Sequence, residues 1–369
     1  MNHIVRSTGT IIHVDDTKID YEIFRLHYTF TVGFLLTFFV VFITVQIFND
    51  SIVCEVSGIR KITSINSYCW IHSTYVVPKA FYKEVSNEVP HPGIDNTQNP
   101  EEFFYLTYYQ WIYFMLFFQA VFFYLPRWIW KYWEGGKIKK LTKDIRNLLL
   151  PEKELNEKCL ALIRYLVKSW STHNAYARQY FICELLSLIN VVLQFLLLDL
   201  FFDGRFINFG SKIFQFYTSE EYINPVNGTH NIKGNPMLML FPRVTKCIFR
   251  EHGKGSTIEV KDVLCVMTLN VFNEKIYLFL WFWFFVLAIL TFLSLVLDIL
   301  LIVSPAMRVQ ALKSRFYLVD QRDFIQLIKK GSFGDWLVID LIGRNIDHVM
   351  YKDLVTEVAK ILTDRYKNL

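Results

Sequence analysis

Four cysteines fall in two close pairs, Cys54 with Cys69 and Cys247 with Cys265, while Cys159 and Cys183 stand apart. Thiols in such pairs form lasting disulfides only in an oxidising compartment. Four cysteines allow three connectivities, and the residues alone leave the choice open. Each bridge would remove loop entropy worth roughly 2–4 kcal/mol. Acids are the other groups with chemistry to offer. Asp15, Asp16 and Asp20 gather near the start, and Glu184, Asp199 and Asp298 interrupt apolar runs. A carboxylate inside a membrane is costly. Glu184, Asp199 and Asp298 lie near the ends of their runs, where snorkelling or a salt bridge relieves that cost. Asn190 and Gln194 are expected to hydrogen-bond between helices. Asn227-Gly228-Thr229 is an N-glycosylation sequon. Asn49-Asp50-Ser51 also fits, but it abuts an apolar run, where the transferase reaches poorly. Enzyme chemistry finds no foothold. The nine His are scattered, and no HExxH, P-loop, GxSxG or GxGxxG occurs. Neither catalysis nor a cofactor nor a metal is expected.

The elements that must position these groups are membrane spans. From 105 to 130 no Asp, Glu, Lys or Arg occurs until Arg127. About 20 apolar residues suffice to cross a bilayer as a helix. Aromatic residues crowd both ends: Tyr105, Tyr108, Tyr109 and Trp111, then Trp128, Trp130, Tyr132 and Trp133. Such rings settle at headgroup level. Pro126 removes a backbone donor and is expected to kink or end this helix. The basic cluster after it (Arg127, Lys131, Lys137, Lys139, Lys140, Lys143) marks that end as cytoplasmic.

The rest orients from there. The inside N-terminal segment is 1–28, and the spans are 29–48, 104–130, 180–202 and 276–303. Extracellular loops occupy 49–103 and 203–275, a helical cytoplasmic loop 131–179, and a helical cytoplasmic C-terminal region 304–369. Most of the 39 Lys and Arg fall in the three inside segments, so both termini are expected inside. Pro151 fits the start of a helix whose inner face is Leu155, Cys159, Leu162, Ile163 and Leu166. Asp320 and Asp347 are expected caps, with Gly331 and Gly343 as stops. Val349, Leu354, Val358, Ile361 and Leu362 give the last helix its apolar face. The chain of 369 residues is 53% hydrophobic and carries 34 Phe and 20 Tyr, more than a soluble domain of this length needs. The fold class is an all-α polytopic membrane protein with two disulfide-bonded extracellular loops. The net charge of +5 is explained by topology and implies no nucleic acid.

Tyr108-Tyr109-Gln110-Trp111 is the tetrapeptide typical of innexins, the gap-junction proteins of invertebrates. Phe24-Arg25-Leu26-His27-Tyr28, Tyr68-Cys69-Trp70-Ile71, Trp133-Glu134-Gly135-Gly136 and Pro242-Arg243-Val244-Thr245-Lys246-Cys247 also resemble innexin sequence. So do Asn273-Glu274-Lys275-Ile276-Tyr277 and Gly334-Asp335-Trp336. Innexin-like genes also occur in polydnaviruses, so a viral homologue fits the same pattern. The resemblance implies a large-pore channel subunit at the plasma membrane. Subunits would form an octameric ring, alone or with other innexins, and two rings would dock through the outer loops to join cells. An undocked ring would be a hemichannel releasing ions or ATP. The resemblance further implies that the N-terminal segment lines the pore mouth, where a ring of acids would attract cations and Asp15, Asp16 and Asp20 become pore candidates, and that the pairs are Cys54–Cys265 and Cys69–Cys247. Membrane lipids are expected partners.

Two departures stand out. The stretch 223–240 lengthens the second outer loop. Its Pro225, Asn227-Gly228, Gly234 and Asn235-Pro236 predict a turn-rich bulge with no strand or helix. The N-terminus is unlike the commonest innexin starts before Lys18-Ile19-Asp20. A four-span adhesion or scaffold protein is the competing class. A tetraspanin would show a CCG motif and a claudin would pair cysteines within one loop, and neither pattern is present.

Overall fold

The computed structural model describes residues 17–48, 50–55, 62–97, 99–143, 145, 151–219, 222, 233–252 and 257–367. In chain order the elements are α1 (Glu22–Phe48), β1 (Val53–Glu55), α2 (Ile62–His72), β2 (Thr74–Val76) and β3 (Phe104–Leu106). Next come α3 (Ile112–Glu134), α4 (Lys137–Thr142), α5 (Glu152–Lys168), α6 (Asn174–Phe201), α7 (Phe209–Tyr217) and α8 (Pro236–Leu240). The strands β4 (Val244–His252) and β5 (Ile258–Val266) are followed by α9 (Asn270–Val303). The chain closes with α10 (Pro305–Arg315), α11 (Gln321–Lys330), α12 (Phe333–Gly343) and α13 (His348–Lys367). Among the described residues four helices, α1, α3, α6 and α9, are long and apolar enough to cross a membrane.

All four begin or end away from their expected limits. The helix α1 starts before 29 and includes a π-helical turn, Leu26–Thr31. The largest shift is in α3, expected over 104–130. Phe104–Leu106 instead pairs with β2, and Tyr108–Gln110 is a 3-10 turn. Pro126 lies inside α3 without ending it. The turns beyond it are fixed by burial of Trp130, whose ring N–H donates to the Ile19 carbonyl at 3.0 Å. Glu134 then accepts from the Gly136 and Ile138 amides, both at 2.7 Å, which caps α4. Gly135 and Gly136 take positive φ at the corner, a conformation that costs glycine little.

The chain divides into two compact units, 1–29 with 124–188 and 290–369, and 30–123 with 189–289. The first is helical among its described residues. Its core joins Leu162, Ile163 and Leu166 of α5, Phe324 and Leu327 of α11, and Leu354, Val358 and Leu362 of α13. Around α12 every residue from Gly334 to Gly343 is buried, as an all-round apolar helix requires. Gly334 has no room for a side chain. A Cβ there would lie 2.2 Å from the His173 backbone. Asp320 caps α11, the side chain of Asp347 accepts from the Val349 amide, and Pro151 sits one place before α5. Val349 is an exception to the expected apolar face, being 58% exposed. It lies in the first turn of α13, before the buried stripe begins.

The second unit overturns the all-α expectation. It holds a five-stranded antiparallel sheet in the order β1-β5-β4-β2-β3, drawn from the stretches between α1 and α3 and between α6 and α9. Alternation in 244–252 and 258–266 carried the signal, and the turn residues around it masked it. Within 223–240, Pro236–Leu240 forms a short helix capped by Asn235, against the expectation of turns only. A proline at the first helical position is compatible with such a start. Residues 223–232 lie outside the described residues.

Candidate functional site

The second unit carries the groups that pin the loops. Cys54 and Cys265 are register partners on β1 and β5 and are bonded to each other. Cys69 on α2 is bonded to Cys247 on β4. Each bond therefore joins the stretch between α1 and α3 to the stretch between α6 and α9. Lys246 pairs with Asp262 at 2.5 Å, and Lys261 pairs with Glu251.

The Tyr108-Tyr109-Gln110-Trp111 motif sits beside these bonds. The Tyr109 hydroxyl donates to the carbonyls of Cys69 and Trp70, at 3.2 and 3.3 Å. The Gln110 amide donates to Trp70 and Ile71 at 2.6 and 3.1 Å. Tyr108 accepts from Asn270 at 2.8 Å and packs its ring against Phe202 and Phe241. Burial pushes the Tyr109 phenol up to about 12, against the pull of hydrogen bonds from Thr74 and Gln110, and raises the Tyr108 phenol further. Both stay protonated donors or acceptors at physiological pH. The motif thus holds the C-terminal end of the disulfide-bonded helix α2. Trp111 alone of the four is exposed, at 59%. Tyr108 and Tyr109 are buried, so they do not form the expected aromatic belt. Nor does Trp130 belong to the other belt, where Trp128 and Tyr132 are exposed.

The polar residues of the long helices also sit differently from expectation. Asp199 accepts the amides of Phe206 and Ile207, both at 2.9 Å, and so closes the turn after α6. Gln194 donates to Asn190 within the same helix at 3.3 Å, not to a neighbouring helix. In the first unit, Glu184 is buried and accepts from Ser294 Oγ at 2.5 Å. Asp298 is also buried. Neither snorkels, because α6 and α9 pack these side chains inward.

Asp20 is buried and binds Arg25 at 3.1 Å, Arg127 at 2.7 Å and the Tyr28 hydroxyl at 2.9 Å. Two guanidinium groups thus neutralise a carboxylate that was a candidate for an open pore charge. Asp15, Asp16, Asn49 and Asn227 lie outside the described residues. Sequence reasoning missed Asp340 and Asn345, which close the same region. Asp340 is fully buried and pairs with Arg315 at 2.5 Å and Arg344 at 3.0 Å. An acid within the apolar run Trp336-Leu337-Val338-Ile339-Asp340-Leu341-Ile342 was the available signal. His173 and Asp335 pair at 2.8 Å. Burial pushes the Asp335 carboxyl up, but hydrogen bonds from His173 and Ser332 outweigh it and leave it below the ordinary range.

The innexin family profile matches residues 20–362. The chain belongs to the innexin family. It is 41% identical to innexin shaking-B of Drosophila melanogaster, over 98% of this chain and 95% of that protein. It is 38% identical to innexin inx2 of Schistocerca americana, covering 98% of each. Innexin inx2 of Drosophila melanogaster is 35% identical over 98% of this chain and 96% of its own length. Innexins are gap-junction channel proteins and not enzymes. This innexin is accordingly a multi-pass membrane protein of the gap junction, and its described site residues are structural and electrostatic, not catalytic.

Proposed function

We propose that this innexin forms an octameric large-pore ring in the plasma membrane, and that two rings dock through the outer loops to pass ions and small molecules between cells. The observation that carries the reading is the family match over nearly the whole chain. The joined outer loops support it, since two disulfides and one sheet give each subunit a stiff outer platform. Both termini lie on the cytoplasmic side, as the placement of Lys and Arg favours. The N-terminal segment lines the pore mouth. Asp15 and Asp16 are the acids there that bias conduction toward cations. Partners are further copies of the chain, other innexins, the opposing ring and membrane lipids.

A second reading keeps the same ring undocked, as a hemichannel releasing ions or ATP. The sequon at Asn227 favours it, because a glycan on a docking face would hold two rings apart. Coupling between paired expressing cells decides between them. Coupling in the unaltered protein, unimproved by Asn227→Gln, supports docking. Coupling that appears only with Asn227→Gln establishes the hemichannel. Images of the purified particle down its axis test the subunit number.

A further inference from the structure

Residues 18–21 form no helix or strand of their own, yet each is held by a side chain distant in sequence, from α3, α6, α12 or the turn after α12. The side-chain amide of Asn345 pairs with both backbone polar groups of Lys18. It accepts from the Lys18 N–H at 2.7 Å and donates to the Lys18 carbonyl at 2.6 Å. Trp130 of α3 donates to the Ile19 carbonyl. Arg127 of α3 holds the Asp20 carboxylate. The Tyr21 N–H donates to the Tyr180 hydroxyl of α6 at 3.2 Å, and its own hydroxyl donates to Asp340 of α12 at 3.0 Å. Arg344 and Arg315 lie over the Tyr21 ring, 4.4 and 5.4 Å from its centre.

The Ile19 carbonyl is bonded in a buried setting and the backbone groups of Lys18 and Tyr21 in part-buried ones, and groups withdrawn from water must find partners. A helix or strand finds them within itself or its sheet, so its internal geometry survives a shift of its neighbours. This strap finds them in others. Its course is therefore set by where those others stand. Asn345 lies in the turn between α12 and α13, and it also donates to the Leu341 carbonyl at 2.8 Å. That bond ties its side chain to the last turns of α12. A displacement of α12 is carried to Lys18 through one rigid amide and to Tyr21 through Asp340.

We propose that the C-terminal helices position the N-terminal segment through this strap, with Asn345 and Asp340 as positioning residues, so that whatever binds or moves α12 alters conduction. The inference rests on the reading that the N-terminal segment lines the pore mouth.

The test uses the full-length channel in lipid nanodiscs and in expressing cells. Asn345→Ala removes both bonds to Lys18. Hydrogen–deuterium exchange at residues 18–21 is expected to quicken by about tenfold, from the loss of two ordinary hydrogen bonds, while α13 stays protected. Open probability per channel is expected to shift at unchanged unitary conductance and surface expression. Unchanged exchange at 18–21 overturns the strap. Faster exchange with unaltered open probability overturns its link to conduction and leaves the pore-mouth reading standing, which fails separately if neutralising Asp15 and Asp16 leaves the reversal potential under a salt gradient unchanged. If Asn345→Ala also exposes α13, Tyr21→Phe decides the matter, since it removes only the hydroxyl bond to Asp340. A smaller increase at 18–21 with α13 protected supports the strap, and no increase overturns it.

Discussion

The two units solve the same problem, holding distant segments together, by different chemistry. The second closes its loops with two disulfides and a five-stranded sheet. The first contains two cysteines, both buried and unbonded. It ties its segments with buried ion pairs and side-chain hydrogen bonds around Asp20, Asp335 and Asp340. A disulfide restricts even the unfolded chain. An ion pair holds only while its geometry and charges persist, and removing one partner strands the other.

The comparison breaks most visibly at the covalent side. Cys69→Ser is expected to abolish coupling between paired cells and to cost the second unit roughly 2–4 kcal/mol. Peptide mapping without reduction should then find Cys54–Cys265 intact and Cys247 free. Persistent coupling would show that the helix α2 needs no staple. The matching cut in the first unit is Asp20→Asn. It leaves Arg25 and Arg127 without their carboxylate and should lower stability by about 3 kcal/mol, read as a lower Tm of the solubilised channel. A loss under 1 kcal/mol, about the value of an exposed pair, would mean that water reaches the two arginines.

A third change probes packing alone. Gly334→Ala places a methyl group against the His173 backbone and is expected to cost about 1–3 kcal/mol. The damage should appear as faster exchange in α12 and leave the outer sheet untouched. Acid offers a gentler test. Asp335 titrates below the ordinary carboxyl range when folded. Its contribution is present above the unfolded pKa, near 4, and is lost as pH falls through the lower folded value. Acid should therefore loosen α12 in a pH window that Asp335→Asn removes, while the disulfide-bonded unit holds. The smallest effect is expected from Gln110→Ala. It removes two hydrogen bonds to the end of α2, worth about 1 kcal/mol each at most. Coupling should survive it with a modest fall in Tm.

The spans were legible because a bilayer imposes one requirement on every residue of a run. Twenty apolar positions satisfy it wherever the neighbours stand. Caps were legible for a similar reason. Asp320 and Asp347 act on amides two residues away, so the partner is in the same stretch of sequence. The family was legible because its motifs recur in order along nearly the whole chain. Those are the properties that the sequence by itself determined, together with the presence of two cysteines in each outer loop.

Tertiary structure decided the rest. The Cys54–Cys265 bond spans 211 residues and the Cys69–Cys247 bond 178. The residues alone admitted three pairings, the family resemblance named the one found, and strand register, which sets Cys54 opposite Cys265, is the physical reason for it. Tyr108 looked like a membrane-interface residue because local composition cannot distinguish a ring at the headgroups from one packed among Phe202 and Phe241. Asp20 looked like an open pore charge because, although Arg25 stands five residues away, nothing local shows that Arg127, 107 residues away, joins it or that the carboxylate is buried. Periodicity reports which side of an element is apolar. It carries no information about which polar group waits on the other side of a contact, and that is a property of the folded chain alone.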